Sequence, residues 1–192
     1  MIKRLMLLSA MGFLLLIPSW AICDQGESDW TGSASFLIGQ KLLDDDDWGP
    51  VDEQVELGAM FNFRQRSWPV NIAFDILYSW DDDDVGLTEV DGNTLELNIG
   101  VRKVWDRSKI QPFIGGGFAV IWAELEGSGF GFRFSDDDTG AGIWADCGLR
   151  YLITDHFSLG LDLRYSWAEV TLFGIDGEAG GVHINMLLGY HW

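Results

Sequence analysis

The side chains best able to do chemistry in this sequence are acids in runs: Asp44-Asp45-Asp46-Asp47, Asp81-Asp82-Asp83-Asp84 and Asp136-Asp137-Asp138. Each run is followed two residues on by a glycine (Gly49, Gly86 and Gly140), as if one loop theme were used three times. Clustered carboxylate oxygens suit hard divalent cations, so Ca²⁺ or Mg²⁺ is the one cofactor class on offer. The spacing lacks the alternate ligands and distal Glu of an EF-hand. The plainer reading is a solvated acidic rim with no firm metal site and no cofactor. For acid–base or nucleophilic work the chain offers 3 His, namely His156, His183 and His191, and no Gly-x-Ser-x-Gly elbow. His183 reads as part of an interior polar plug rather than a base. No catalytic residue is assigned, and the protein is expected not to be an enzyme.

The elements that carry these groups are strands. From Trp30 onward hydrophobicity alternates with period 2, the signature of extended chain with two unlike faces. Val55, Leu57, Ala59, Phe61 and Phe63 oppose Glu56, Gly58, Met60, Asn62 and Arg64. The same split recurs through Val70–Trp80, Leu95–Arg102, Ile114–Trp122, Ile143–Tyr151, Phe157–Trp167 and Val182–Trp192. With a weaker first segment, Trp30 to Leu43, this predicts eight strands in an all-β, antiparallel up-and-down barrel. Connections alternate in length. Those after strands 2, 4 and 6 are short, whereas Asp44–Asp52, Asp81–Asn93, Glu124–Asp138 and Glu169–Ala179 are long. Short periplasmic turns and longer extracellular loops mark a transmembrane barrel of the outer membrane.

Three features set the apolar face toward lipid rather than toward the core of a soluble, lipocalin-like barrel. The polar face mixes Gly with Asp, Glu and Arg, as a narrow lumen requires. Its charges balance, and buried charges must pair. Tryptophans sit at the segment ends: Trp80, Trp122 and Trp167 at one rim, Trp30, Trp68, Trp105 and Trp192 at the other, as in two aromatic girdles. Val55, Leu57, Phe61, Phe74, Ile99, Phe118, Leu161 and Ile184 are expected to face lipid. Arg64, Arg102, Arg150 and Arg164 are expected to pair across the lumen with Glu56, Asp75, Glu96, Asp146 and Asp162.

Composition narrows the rest. The 192 residues carry a net charge of -18, which excludes a nucleic-acid partner. Of the 30 acids about 20 fall in the four long connections, against one base there, Arg133. Lys3 and Arg4, an apolar run to Ile17, and small residues at Ser19 and Ala21 predict a cleaved export signal over residues 1–21. A periplasmic tail over 22–29 and one barrel domain over 30–192 follow. Of the 2 cysteines, Cys147 should face lipid and Cys23 should lie in the tail without a lipid anchor, with no disulfide between them.

The strand pattern, the stretch Gln111-Pro112-Phe113-Ile114-Gly115-Gly116-Gly117 and the ending Leu188-Gly189-Tyr190-His191-Trp192 resemble the OmpA/OmpX-like family of small eight-stranded outer-membrane barrels. The resemblance implies an integral protein of the cell outer membrane. It implies contact with outer-membrane lipid, lipopolysaccharide included, and a terminal strand ending in Trp192 that the outer-membrane assembly machinery reads. Most members end in Phe, so Trp is a departure. The peptidoglycan-binding domain of some relatives is not expected here. A monomer with a plugged lumen and a structural or surface-interaction role is the expected function. A lipid-modifying barrel enzyme and a low-conductance pore are the alternatives.

Overall fold

The computed structural model describes residues 29–85, 88–129 and 132–192. The expected export signal, the tail as far as residue 28, and Cys23 lie outside the described residues. The strands are β1 (Trp30–Leu42), β2 (Glu53–Gln65), β3 (Asn71–Val85), β4 (Thr88–Val104), β5 (Ile110–Gly129), β6 (Phe132–Leu152), β7 (Phe157–Leu172), β8 (Ile175–Glu178) and β9 (Gly181–His191). A helical turn α1 (Asp45–Trp48) and a 3-10 turn (Gly49–Val51) lie between β1 and β2.

Each barrel strand pairs antiparallel with its neighbours. β9 pairs with both β7 and β1, and β6 pairs with β7, so eight strands close on themselves. Closure leaves no unpaired edge in the apolar zone, which lipid cannot tolerate. β8 stands outside this cylinder as a short hairpin partner of β7.

Alternation decides the faces as the sequence predicts. Phe118 is 73% exposed, Leu161 60% and Ile99 59%, while Arg102, Asp75 and Lys41 are fully buried. An apolar exterior around a charged interior is the inverse of a soluble protein and fits a hydrocarbon surround. Cys147 is exposed on this outer face. The interior charges fit because glycines stand opposite them. A Cβ built on Gly115 would lie 2.5 Å from Asp146 Oδ1, so only glycine leaves the carboxylate its place there.

The long connections differ from the loops expected. Asp81–Asp84 and Asp136–Asp138 lie within strands: β3 and β4 stay paired as far as Val85 and Thr88, and β5 and β6 as far as Gly129 and Phe132. The reason is physical. A ladder already anchored in a rigid barrel adds hydrogen-bonded pairs at little further entropy cost, and beyond the apolar belt both faces of the hairpin tolerate acids. The first connection, expected to be a plain loop, winds into α1, with Asp44 as its N-cap accepting from the Asp46 amide at 3.0 Å. The fourth contains β8.

Candidate functional site

Inside the barrel the chemistry-bearing side chains form one stack. At its centre Asp75 from β3 and Asp146 from β6 face Arg102 from β4 and Arg164 from β7. Arg102 Nη2 lies 2.7 Å from Asp75 Oδ2 and 2.6 Å from Asp146 Oδ2, and Arg164 Nη2 donates to the same Asp75 oxygen at 2.7 Å. Both guanidinium groups also stack on the Trp144 ring, at 5.2 and 4.9 Å. Four buried charges in such contact compensate one another's desolvation.

Toward the long-hairpin end follows a second group. His183 Nδ1 lies 2.7 Å from Glu56 Oε2, and its Nε2 lies 2.9 Å from Ser166 Oγ. Ser166 Oγ donates to Glu96 Oε2 at 2.9 Å, and Lys41 Nζ lies 3.6 Å from that oxygen. Lys41 also donates to Thr94 Oγ1 at 3.0 Å and to the Ala179 carbonyl at 2.8 Å. The chain Glu56–His183–Ser166 has the connectivity of an acid, a base and a nucleophile. Its chemistry is otherwise: the Ser166 proton is already given to a carboxylate, and all three groups are buried in the lumen. A nucleophile needs a substrate beside it. The ring instead ties two acids together.

The period-2 pattern places these residues on the inner face, Ser79 among them, without giving their partners, and Gln54 and Thr94 fall just outside the segments it delimits. Ser79 Oγ bonds Gln54 Oε1 and Thr94 Oγ1, each at 2.7 Å. Continuing the period-2 count by one step beyond Val55 and Leu95 reaches Gln54 and Thr94. The expected pairing of lumen arginines with acids is corrected at four residues: Glu56 meets His183 and Glu96 meets Lys41 rather than an arginine, and Arg64 and Arg150 meet none of the expected acids. Arg64 does not enter the stack; partly exposed at the turn end, it binds Asp106, which is about half exposed there. Arg150 has no carboxylate within 4 Å among the described residues. It donates to Ser33 Oγ at 3.1 Å and lies over the Phe113 ring at 4.9 Å. Asp162 lies 3.7 Å from Arg164 Nε without a hydrogen-bond partner.

The two ends of the stack are finished differently. At the hairpin end Leu43, Trp48, Val51, Ile121, Val170 and Ala179 pack into a buried apolar cluster. Trp48 Nε1 donates to the Glu178 carbonyl at 2.8 Å, and Asp47 accepts from the Glu178 amide at 2.7 Å, so α1 is fastened to β8 as a lid. Burying side chains such as Val51 stabilises this closure by about 1.5–3 kcal/mol each. At the turn end a cavity of about 260 Å³ remains, lined by polar groups that include Ser33, Asn62, Arg64, Gln111 and Arg150. Ser158 Oγ lies 2.8 Å from His191 Nε2 there. The triplet His156-Phe157-Ser158 has the spacing of a base and a hydroxyl, but the structure separates them: the His156 ring meets the His191 carbonyl.

The acidic runs do not converge. Among the described residues no three His, Cys, Asp or Glu side chains are gathered as a metal ion requires. Several of the acids bind protein instead. Beyond Ala168 strand β7 parts from β6, leaving edge amides. Asp138 Oδ2 accepts from the Thr171 amide at 2.7 Å, and Asp136 Oδ2 accepts from the Phe173 amide. The amides of Thr171 and Thr139 hold the Asp138 carboxyl below its ordinary range.

No curated protein matches the chain in sequence. Solved structures do match in fold. Neisserial surface protein A aligns at TM-score 0.54 with 13% identity, over 85% of this chain and 96% of that one. The Yersinia pestis attachment invasion locus protein Ail, solved with the heparin analogue sucrose octasulfate, aligns at TM-score 0.56 with 11% identity, over 85% and 97%. A major outer membrane protein of Thermus thermophilus aligns at TM-score 0.56 with 9% identity, over 85% and 99%. Residues 12–191 match the outer membrane protein beta-barrel domain. An apolar-coated closed barrel with a charged interior, and a family match along nearly its whole length, together make this chain a member of the outer membrane β-barrel family and an integral protein of the outer membrane.

Proposed function

We propose that the protein is a non-conducting scaffold of the outer membrane that presents four acidic connections outside the cell. The observation that carries this reading is the occupied axis. The Arg102–Asp75–Arg164–Asp146 cluster and the lid under Trp48 take up the lumen along which ions would move. Eight strands leave an interior just filled by side chains. In this reading the hairpin end points outward, both barrel termini lie in the periplasm, and the barrel acts as a monomer placed by the assembly machinery through its last strand. The hairpin end carries nearly all the net charge, so the field outside is negative. Anionic lipid phosphates are repelled by it, and cationic proteins are drawn to it, more weakly as salt rises. Ail, of the same fold, was solved with a heparin analogue, a polyanion; the acidic rim here favours partners of the opposite sign.

The test is electrical. Purified barrel in a planar bilayer should stay silent, and a steady open channel defeats the reading. Orientation is read separately by labelling a cysteine placed at Asp137 in intact cells with an impermeant reagent. Release of fatty acid from phospholipid or lipopolysaccharide by the same preparation would move the protein to the enzyme class.

A further inference from the structure

The hairpin end displays apolar residues that the barrel does not need. Phe132 is 79% exposed and Ile175 73%, and Phe134 and Phe173 are about half exposed. Phe134 and Phe173 meet edge to face with centroids 5.7 Å apart, joining the β5–β6 hairpin to the β7–β8 hairpin. The Phe134 ring lies across Gly127 of the neighbouring strand, where a Cβ would not fit. The Asp136 and Asp138 bonds to the amides of Phe173 and Thr171 hold the two hairpins together beneath the rings.

Three observations separate this cluster from the lipid-facing belt. The first is height. Phe134 pairs with Gly127, five positions beyond Trp122 of the girdle, which is about 16 Å further along the strand. The second is face. The β5–β6 register is unbroken from Ile110–Tyr151 to Gly129–Phe132, so Phe132 and Phe134 share the side of Trp144 and Asp146, the lumen side, and turn away from the bilayer. The third is strain. Phe173 has φ 53° and Gly174 φ 77°, a two-residue hairpin turn with both centres left-handed. Asn-Gly fills such a turn without strain, and a bulky side chain there is unfavourable. The turn itself does not select a phenylalanine there, and with one edge on Phe134 the ring still stands about half exposed.

The surroundings specify the occupant. Asp136, Asp137, Asp138 and Asp176 lie on the distal parts of the same two hairpins, where Arg133 is the one base between Glu124 and Asp138 and between Glu169 and Glu178. Apolar anchors ringed by acids complement a segment that alternates apolar and basic side chains. We infer that Phe132, Phe134, Phe173 and Ile175 form a docking knob for a cationic amphipathic segment of another protein. The inference rests on the hairpin end being the outer one and names the class of partner that end would take.

The experiment uses the purified full barrel in nanodiscs and a synthetic Leu/Lys amphipathic peptide as probe. The paired variant Phe134→Ser with Phe173→Asn removes both rings, and Asn relieves the left-handed turn, so thermal melting should not fall. Peptide affinity should fall by at least ~10-fold, since aromatic anchors dominate such contacts. Added salt should weaken what remains, and a Leu/Glu peptide should not bind the parent. Equal affinity of parent and variant overturns the knob and leaves only a diffuse acidic field. Binding of the parent, but not the variant, to phosphatidylcholine vesicles or to a second barrel likewise overturns it. Failure of Asp137 labelling in intact cells would remove the outward reading without touching the peptide measurement, so the two failures are told apart.

Discussion

The hairpin end and the turn end of this barrel solve the same problem in opposite ways. Above the central charges lies a buried apolar cluster capped by α1, which Trp48 and Asp47 pin to β8. Below them Arg150 opens onto a polar cavity of about 260 Å³. The lesson concerns where buried charge must be matched. Arg102 and Arg164, far from water, each meet acids directly; Arg150, near the open end, makes do with a hydroxyl, a sulfur and an aromatic face. The interior ends in packed apolar side chains on one side and in a polar cavity on the other.

The sharpest way to break this contrast is at its centre. Asp75→Asn weakens the contact to both guanidinium groups at once. Unpairing a buried ion costs about 3–5 kcal/mol, so urea unfolding in micelles should shift by that order. The lid comes next. Trp48→Ala removes its largest side chain at about 3 kcal/mol, felt locally. Hydrogen exchange should speed at the Glu178 amide, while bilayer recordings stay silent because the ionic stack still fills the axis.

Much of this was legible in the sequence. Period 2 alone separates Ile99 from Asn98 and Leu161 from Asp162, and with them the whole lipid face. The partners of the interior charges were not legible. A residue can reach across the lumen to a strand far away in sequence, so Arg164 of β7 meets Asp75 of β3, while Arg102 bridges Asp75 on the adjacent strand and Asp146 two strands on. Position parity fixes the side but not the height of such contacts. Nor did acidity mark Asp81–Asp84 and Asp136–Asp138 as strand, because acids are rare in isolated sheets and only a preformed ladder extends through them.

Two smaller effects sharpen the comparison. Asp136→Asn with Asp138→Asn should loosen the strap to β7, read as faster exchange of the Thr171 and Phe173 amides, with the barrel intact. The same contact responds to pH. A carboxyl held below its ordinary range stabilises the fold above that range and loses the contribution as the pH falls through the depressed value. The Thr171 amide, bonded to Asp138, should therefore stay protected at neutral pH and through mild acid, and open only in stronger acid. Last, Arg150→Met at the cavity end should shift stability by less than about 1 kcal/mol in the same urea assay, since no carboxylate is left unpaired and the thioether can cover Phe113. A loss as large as that of Asp75→Asn would show that the two ends are not different after all.

The unbroken β5–β6 register has a mechanical consequence. A force drawing the tip outward pulls β5 and β6 together, so their paired arms move as one unit and the load falls as shear on the flanking β4–β5 and β6–β7 ladders, many hydrogen bonds at once, rather than peeling them one by one. Because both strands continue into a closed cylinder, the load passes to the whole circumference. The hairpin is thus a stiff tether, and a partner pulled from its tip should detach before the hairpin yields.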